Sequence, residues 1–251
     1  MKFGLLGKSI SHSKSPILFN SAYPVENHTY ELLDFTSAKE GVEFAIANGF
    51  KGINVTSPFK EQVMEFADYF DENSRQSQAA NLLMFDNGKI SAFNTDYYGV
   101  RDTIKQFVNA GMPALVLGCG GAGRAAAIAL RDLGLEVTIS NRSELTCKPF
   151  AISSKISYCH ISVINEYAKS AQIIIDTIPV RHIILSNFNF RGKIVLEARY
   201  NNPTLEKIVK NDGGAYISGL TWLLNQAIPS FTLLTGREPL SQAMENLAAK
   251  W

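Results

Sequence analysis

Apolar side chains along the first hundred residues recur in two alternating rhythms. Leu5 and Leu6 continue from Phe3 as a short strand-like run, TYELLDF at 29–35 alternates apolar and polar positions, and GINVT at 52–56 is a third buried run. Helix signals lie between them. Ser15-Pro16 marks one helix start, and SAKE at 37–40 is a capping box whose helix Gly49 closes. After GINVT, Ser57 is suited to an N-cap and Pro58 to the first helical position, and Val63, Met64, Phe66, Ala67 and Phe70 supply the apolar side of a predicted helix. The pattern so far is βαβαβα. LLMFDNGKISAFN at 82–94 is then two apolar runs around Asn87-Gly88, a strong hairpin signal, and Asp96 is expected to cap a helix ending near Gly111.

Pro113 breaks the chain and the pattern begins again. ALVL at 114–117 starts a second α/β series containing LEVTISN at 135–141, QIIID at 172–176 and KIVLEA at 193–198. The tail from Gly219 carries two helical patterns, GLTWLLNQAIPSFTLLTG and PLSQAMENLAAKW, with no strand of its own. The fold class predicted is α/β in two domains, the first over 1–100 and 220–251 and the second, Rossmann-type, over 101–219. The C-terminal helices are expected to return to the first domain, so that the chain crosses between domains twice.

Composition narrows the partners. The 251 residues are 46% hydrophobic and 19% charged, with a formal net charge of +1. No block of like charges offers a footprint for nucleic acid or an anionic membrane, which leaves a small molecule as the expected partner. Cys119, Cys147 and Cys159 form no CxxC pair, and His12, His28, His160 and His182 lack ligand spacing, so neither a disulfide framework nor a metal site is expected. The N-terminal MKFGLLGKSISHSK has too short an apolar run for a secretory signal, and no segment approaches the roughly 20 apolar residues of a membrane helix. These features predict a complete, cytoplasmic protein.

The chemistry begins with Gly118-Cys-Gly120-Gly121-Ala-Gly123, a GxGxxG directly after a strand and opening the helix RAAAIALRDLG. Gly118 permits the tight turn, Gly120 lets backbone approach a pyrophosphate at the helix N-terminus, and Gly123 lets helix and strand lie close. This predicts a dinucleotide site. A site for NAD usually has Asp or Glu about 20 residues past the first glycine. LEVTISNRS instead ends in Asn141 and Arg142. A guanidinium there suits a 2′-phosphate, which favours NADP. A second anomaly is Lys60, which the predicted helix from Pro58 places at its third position, where a helix N-terminus favours negative charge.

Taken together, these motifs resemble the shikimate dehydrogenase family. GKSISHSKSP, GINVTSPFK, AFNTDYYG, GCGGAGRA, SNRS and GLTWLLNQA occur in that family's order across nearly the whole chain. The resemblance implies a substrate domain followed by an NADP-binding domain, acting in aromatic amino acid (chorismate) biosynthesis. The implied reaction is the reversible reduction of 3-dehydroshikimate by NADPH to shikimate. It also implies that Ser13 and Ser15 bind the substrate carboxylate, that Thr56, Asn81 and Gln226 hold ring hydroxyls, and that Tyr200 lines the pocket. Lys60 and Asp96 would be the catalytic pair, and Gly219 would lie against the nicotinamide. A helix N-terminus and desolvation would lower the Lys60 pKa toward neutrality, with Asp96 orienting the amine.

The chain departs from the family pattern at several points. Gln78 and Leu82 stand where the family often has Gly and Thr, Trp222 where it has Met, and Glu197 where it has Asp. Residues 176–181, DTIPVR, keep little of a NATPxGM pattern. Two alternatives follow: a quinate/shikimate dehydrogenase, and a shikimate-type ligand-binding protein with weak or no turnover. A monomer or homodimer is expected.

Overall fold

Strand β1 (Lys2–Gly7) carries five buried residues in a row, as a strand covered on both faces does. In the computed structural model, which describes residues 1–22, 28–178, 185 and 188–251, it is a central strand. The first unit comprises Met1–Asp96 and Leu224–Trp251. Its elements before the hairpin are α1 (Ser15–Ser21), β2 (Thr29–Asp34), α2 (Ala38–Ala47), β3 (Phe50–Val55), β4 (Tyr69–Phe70) and α3 (Glu72–Ser77). The hairpin strands are β5 (Leu82–Asp86) and β6 (Lys89–Phe93). They assemble a six-stranded sheet in the order β2-β1-β3-β5-β6-β4. Here β1 runs parallel to β2 and β3, whereas β5 is antiparallel to β3 and β6. Asn87 and Gly88 turn the hairpin with φ of 48° and 75°, as a two-residue type I′ loop requires. Ser37 caps α2 by accepting from the Glu40 N–H, and Gly49 leaves it at φ 73°.

The helix predicted from Pro58 is absent. Thr56–Phe59 is a β-turn, closed by a hydrogen bond from Phe59 N–H to the Thr56 carbonyl (3.0 Å), with a cis Ser57–Pro58 peptide inside it. A single 3₁₀ stretch follows at Gln62–Phe66. Beyond it the chain is drawn to the sheet: the N–H groups of Asp68 and Asp71 donate to the Ile90 and Ala92 carbonyls at 2.8 and 3.0 Å. These bonds to β6 compete with helical ones and extend the segment. The apolar side chains still serve the core, with Phe59 and Val63 fully buried beside Val55, Ala80 and Leu83.

The second unit, Tyr97–Leu223, follows from α4 (Asp96–Ile104). Only a 3₁₀ turn, Lys105–Phe107, extends α4 toward Gly111, so the helix is shorter than predicted. Next come β7 (Pro113–Leu117), α5 (Gly121–Asp132), β8 (Glu136–Asn141), α6 (Glu144–Ser153), β9 (Ser157–His160), α7 (Ile164–Ser170) and β10 (Ile173–Asp176). The series closes with β11 (Ile194–Glu197), α8 (Glu206–Asn211) and β12 (Ala215–Ser218). The sheet order is β12-β11-β10-β7-β8-β9, with every pairing parallel. This is the doubly wound arrangement, whose strand order reverses between β7 and β10. The tail forms α9 (Gly219–Thr235) and α10 (Ser241–Ala248). No helix among the described residues is long and apolar enough to cross a membrane.

Candidate active site

In the first unit Lys60 and Asp96 form an ion pair. Lys60 Nζ lies 2.5 Å from Asp96 Oδ2, with the two side chains 16% and 8% exposed. Lys60 stands in the turn before the 3₁₀ stretch, anchored by burial of Phe59 and by the Ala80 N–H donating to its own carbonyl (2.8 Å). It is therefore not the third residue of a helix. Asp96 is the first residue of α4 rather than its cap; its own N–H donates to Asn94 Oδ1 (3.1 Å), which leaves the carboxylate to the lysine.

Beside this pair lies a buried cluster of polar side chains. Asn81 Nδ2 donates to Gln226 Oε1 (3.2 Å) and to Thr95 Oγ1 (2.9 Å), while Asn81 Oδ1 accepts from the Thr95 N–H (2.7 Å). Asn81 and Gln226 are thus brought together from opposite ends of the chain. Thr56 follows β3, half-buried, as the first residue of the β-turn. Ser15 is the first residue of α1, whose N-cap is Lys14. Ser13 Oγ accepts from the Ser15 N–H at 3.3 Å, which makes the two serines a separate hydroxyl pair. Gln78 takes φ 52° at the C-cap of α3, the left-handed conformation glycine adopts most easily, so the backbone bend survives the loss of glycine.

The glycine loop of the second unit fits a dinucleotide by the side chains it lacks. Gly118 has φ 96°, and a Cβ there would lie 2.6 Å from Thr177 Oγ1. A Cβ on Gly123 would lie only 2.0 Å from the Gly118 carbonyl oxygen. Gly120 is the N-cap of α5 and Gly121 its first residue, so N–H groups of the first turn face the loop. Two residues overlooked in the sequence hold this shape. Arg124, 6% exposed, donates from Nε to the Cys119 carbonyl (3.0 Å), and Thr177 Oγ1 donates to the Leu117 carbonyl (2.7 Å). Of the altered 176–181 segment, Pro179, Val180 and Arg181 lie outside the described residues. Asn141 ends β8, and Arg142 follows it with an exposed side chain.

Gly219 opens α9 where a Cβ would meet the Ala198 carbonyl oxygen at 2.3 Å, which gives this glycine a packing reason independent of any cofactor. Tyr200 is half-buried in the loop after β11. That loop is tied to Glu197, fully buried, whose carboxylate accepts from Thr204 N–H, Leu205 N–H, Arg199 and the Tyr216 hydroxyl. Burial, with Glu197 beside it, pushes the Tyr216 phenol far up. Trp222, 4% exposed, packs in the core of its unit, where its indole N–H finds no partner among the described residues.

A doubly wound sheet with a glycine loop in one unit, and a lysine–aspartate pair in a mixed-sheet unit of the same chain, define a two-unit protein of the dinucleotide-dependent dehydrogenase class. Residues 5–83 match the model of the shikimate dehydrogenase substrate binding domain, and residues 111–184 match the acetohydroxy acid isomeroreductase NADPH-binding domain. The chain is 37% identical to the shikimate dehydrogenase (NADP(+)) of Ignicoccus hospitalis, over 95% of each chain. It superposes on the shikimate dehydrogenase of Aquifex aeolicus with a TM-score of 0.88 at 28% identity, covering 100% of this chain and 98% of that one. The Thermus thermophilus shikimate 5-dehydrogenase, solved in complex with NADP(H) and shikimate, gives 0.82 at 27% identity, covering 100% and 99%. The chain belongs to the shikimate dehydrogenase family.

Proposed function

We propose that the protein is an NADP-dependent shikimate dehydrogenase, which reversibly reduces 3-dehydroshikimate to shikimate. The observation that carries this is the Lys60–Asp96 pair: an amine held by a carboxylate, nearly out of water, on the unit whose residues match the family's substrate-binding domain. Oxidation of a secondary alcohol requires the hydroxyl to lose its proton, and reduction of the ketone requires that proton back. Lys60 Nζ exchanges it, and Asp96 fixes the amine's position and shares the substrate hydroxyl. A bound nicotinamide dinucleotide supplies the hydride chemistry. Gly118, Gly120, Gly121 and Gly123 make room for its pyrophosphate, and Asn141 and Arg142 would hold the 2′-phosphate end. Gly219 is assigned to the nicotinamide side.

Asn81, Gln226 and Thr56 are assigned to the ring hydroxyls, Ser13 and Ser15 to the carboxylate, and Tyr200 to the pocket wall. In this reading residues 1–100 with 220–251 are the substrate domain and 101–219 the NADP domain, in a cytoplasmic enzyme of chorismate biosynthesis that works as a monomer or homodimer. The test is absorbance at the nicotinamide band with shikimate or quinate against NADP or NAD. The expected result is shikimate-dependent reduction of NADP, well above that with quinate or NAD. Calorimetric binding of shikimate with no turnover on either cofactor would overturn the enzyme assignment.

A further inference from the structure

Four polar residues without an assigned role run behind Asn81 and Gln226. Tyr30 on β2 donates its hydroxyl to Asn54 Oδ1 (2.9 Å). Asn54 Nδ2 donates to Ser230 Oγ (3.1 Å) and to the Asn81 carbonyl (3.2 Å), and Ser230 Oγ lies 2.7 Å from Thr95 Oγ1. Thr95 Oγ1 in turn reaches Gln226 Oε1 at 3.2 Å. Asn54 is 5% exposed, and Thr95 and Ser230 are fully buried, so water does not compete for these bonds. Burial also pushes the Tyr30 phenol well up, which keeps it a donor.

Some of these directions follow from groups that can only donate. A backbone N–H only donates, so Asn81 must turn Oδ1 to the Thr95 N–H and therefore Nδ2 toward Thr95 Oγ1 and Gln226. Gln226 must then present its oxygen. Reversing that amide would set two NH₂ groups against each other in a buried site, at the cost of unmade hydrogen bonds. Both hydrogens of Asn54 Nδ2 are committed, one of them to Ser230 Oγ, and either hydroxyl of the Ser230–Thr95 pair can donate to the other. Thr95 Oγ1 accepts from Asn81 Nδ2, and its own proton reaches Asn81 Oδ1 at 3.1 Å and Gln226 Oε1 at 3.2 Å.

We infer that Thr95 is a positioning residue for Gln226: its N–H orients Asn81, and Asn81 Nδ2 together with the Thr95 hydroxyl holds the Gln226 amide oxygen in the cluster, which turns the amide nitrogen toward a ligand. The ligand group at Gln226 is then an oxygen that accepts a hydrogen bond, a hydroxyl or a carbonyl. This rests on the assignment of Gln226 to the substrate. Ser230, one helical turn after Gln226 on α9, and Asn54 hold the threonine hydroxyl in place.

The test uses the full chain with Thr95→Val, which keeps the shape and the backbone N–H but removes the hydroxyl, alone and combined with Gln226→Met. Shikimate KM and kcat are read together with calorimetric affinity. Thr95→Val is expected to raise KM and Kd about three- to tenfold, with a smaller change in kcat. Thr95→Ser should restore both to within about twofold. In the Gln226→Met background, Thr95→Val should add less than about twofold, because the group it orients is gone. An equal loss in both backgrounds, or an unchanged KM, overturns the inference while leaving the enzyme assignment standing. An unchanged KM in Gln226→Met alone overturns the substrate role of Gln226 on which it rests. Should Thr95→Val fail to fold, Ser230→Ala replaces it: a rise in KM of about twofold that vanishes with Gln226→Met supports the inference, and one that persists overturns it.

Discussion

The two units build their ligand-facing regions by opposite means. In the first, the side chains nearest Lys60 are already engaged with one another: the amine with Asp96, Asn81 with Thr95 and Gln226, Thr95 with Ser230. In the second, the working surface is defined by side chains that are missing, at Gly118, Gly120 and Gly123, where a Cβ would lie 2.6 Å from Thr177 Oγ1 at the first and 2.0 Å from the Gly118 carbonyl oxygen at the last. A region made of hydrogen bonds responds to substitution by degrees and recovers with a conservative replacement. A region made of close backbone contacts responds sterically, and a smaller or more polar side chain does not rescue it. On the proposed function, proton transfer and substrate polarity belong to one unit, and cofactor geometry to the other.

The largest test of the first region is Lys60→Met, which keeps the apolar stem and removes the amine. A lost general acid–base group lowers kcat by roughly 10²–10⁴, and KM for shikimate should change little. Asp96→Asn should also lower kcat, with the fold retained, because the amide occupies the same space at the start of α4. A Lys60→Met enzyme with near-normal kcat and an unaltered pH–rate profile would remove the lysine from the chemistry and collapse the contrast.

The opposite region is tested by Gly123→Ala. A methyl 2.0 Å from the Gly118 carbonyl oxygen cannot be accommodated without moving the loop. Overpacking of this kind costs about 1–3 kcal/mol, so NADP affinity should fall by roughly five- to a hundredfold. Calorimetric affinity for shikimate should stay near wild type. Loss of shikimate binding to the same degree would show that the two regions do not act separately.

The contrast also explains what the sequence made legible. Local signals were sufficient where the physics is local. Asn87-Gly88 supplies two positive φ angles in succession, Ser37 caps three residues ahead, and the glycine loop lies between consecutive elements. The helix expected from Pro58 failed because apolar spacing at 63–70 does not reveal that the backbone N–H groups of Asp68 and Asp71 are taken by β6. Strands β9 and β12 escaped notice because SYCH and AYIS are short and mostly not buried, and their order comes from the neighbouring strand. The partner of Lys60 lies 36 residues away, and Gln226 lies 145 residues from Asn81, so residue type identified the candidates but not their bonds. Thr95 and Ser230 did have a signal: a hydroxyl between Asn94 and Asp96, and a serine four residues after Gln226 on the same helix face.

The smallest effect expected is the one that discriminates between cofactors. Arg142 follows β8 with an exposed side chain, in the position where a carboxylate would favour a ribose hydroxyl. A guanidinium pairs two of its N–H groups with a phosphate, but exposure to water and salt keeps the gain at the low end of the range for charged hydrogen bonds, about 1.5 kcal/mol. Arg142→Ala should therefore weaken NADP by about tenfold while leaving NAD nearly unchanged. Raising the salt concentration should shrink the difference between wild type and variant, because screening acts on the same interaction. The glycine loop is intact in this variant, so the loss must be selective if the loop and the arginine have separate roles: the loop admits any dinucleotide pyrophosphate, and Arg142 alone tells the 2′-phosphate from the hydroxyl. Affinities measured for both cofactors at two ionic strengths decide it, and an equal fall for NAD and NADP, or a wild-type preference for NAD, removes Arg142 from cofactor selection.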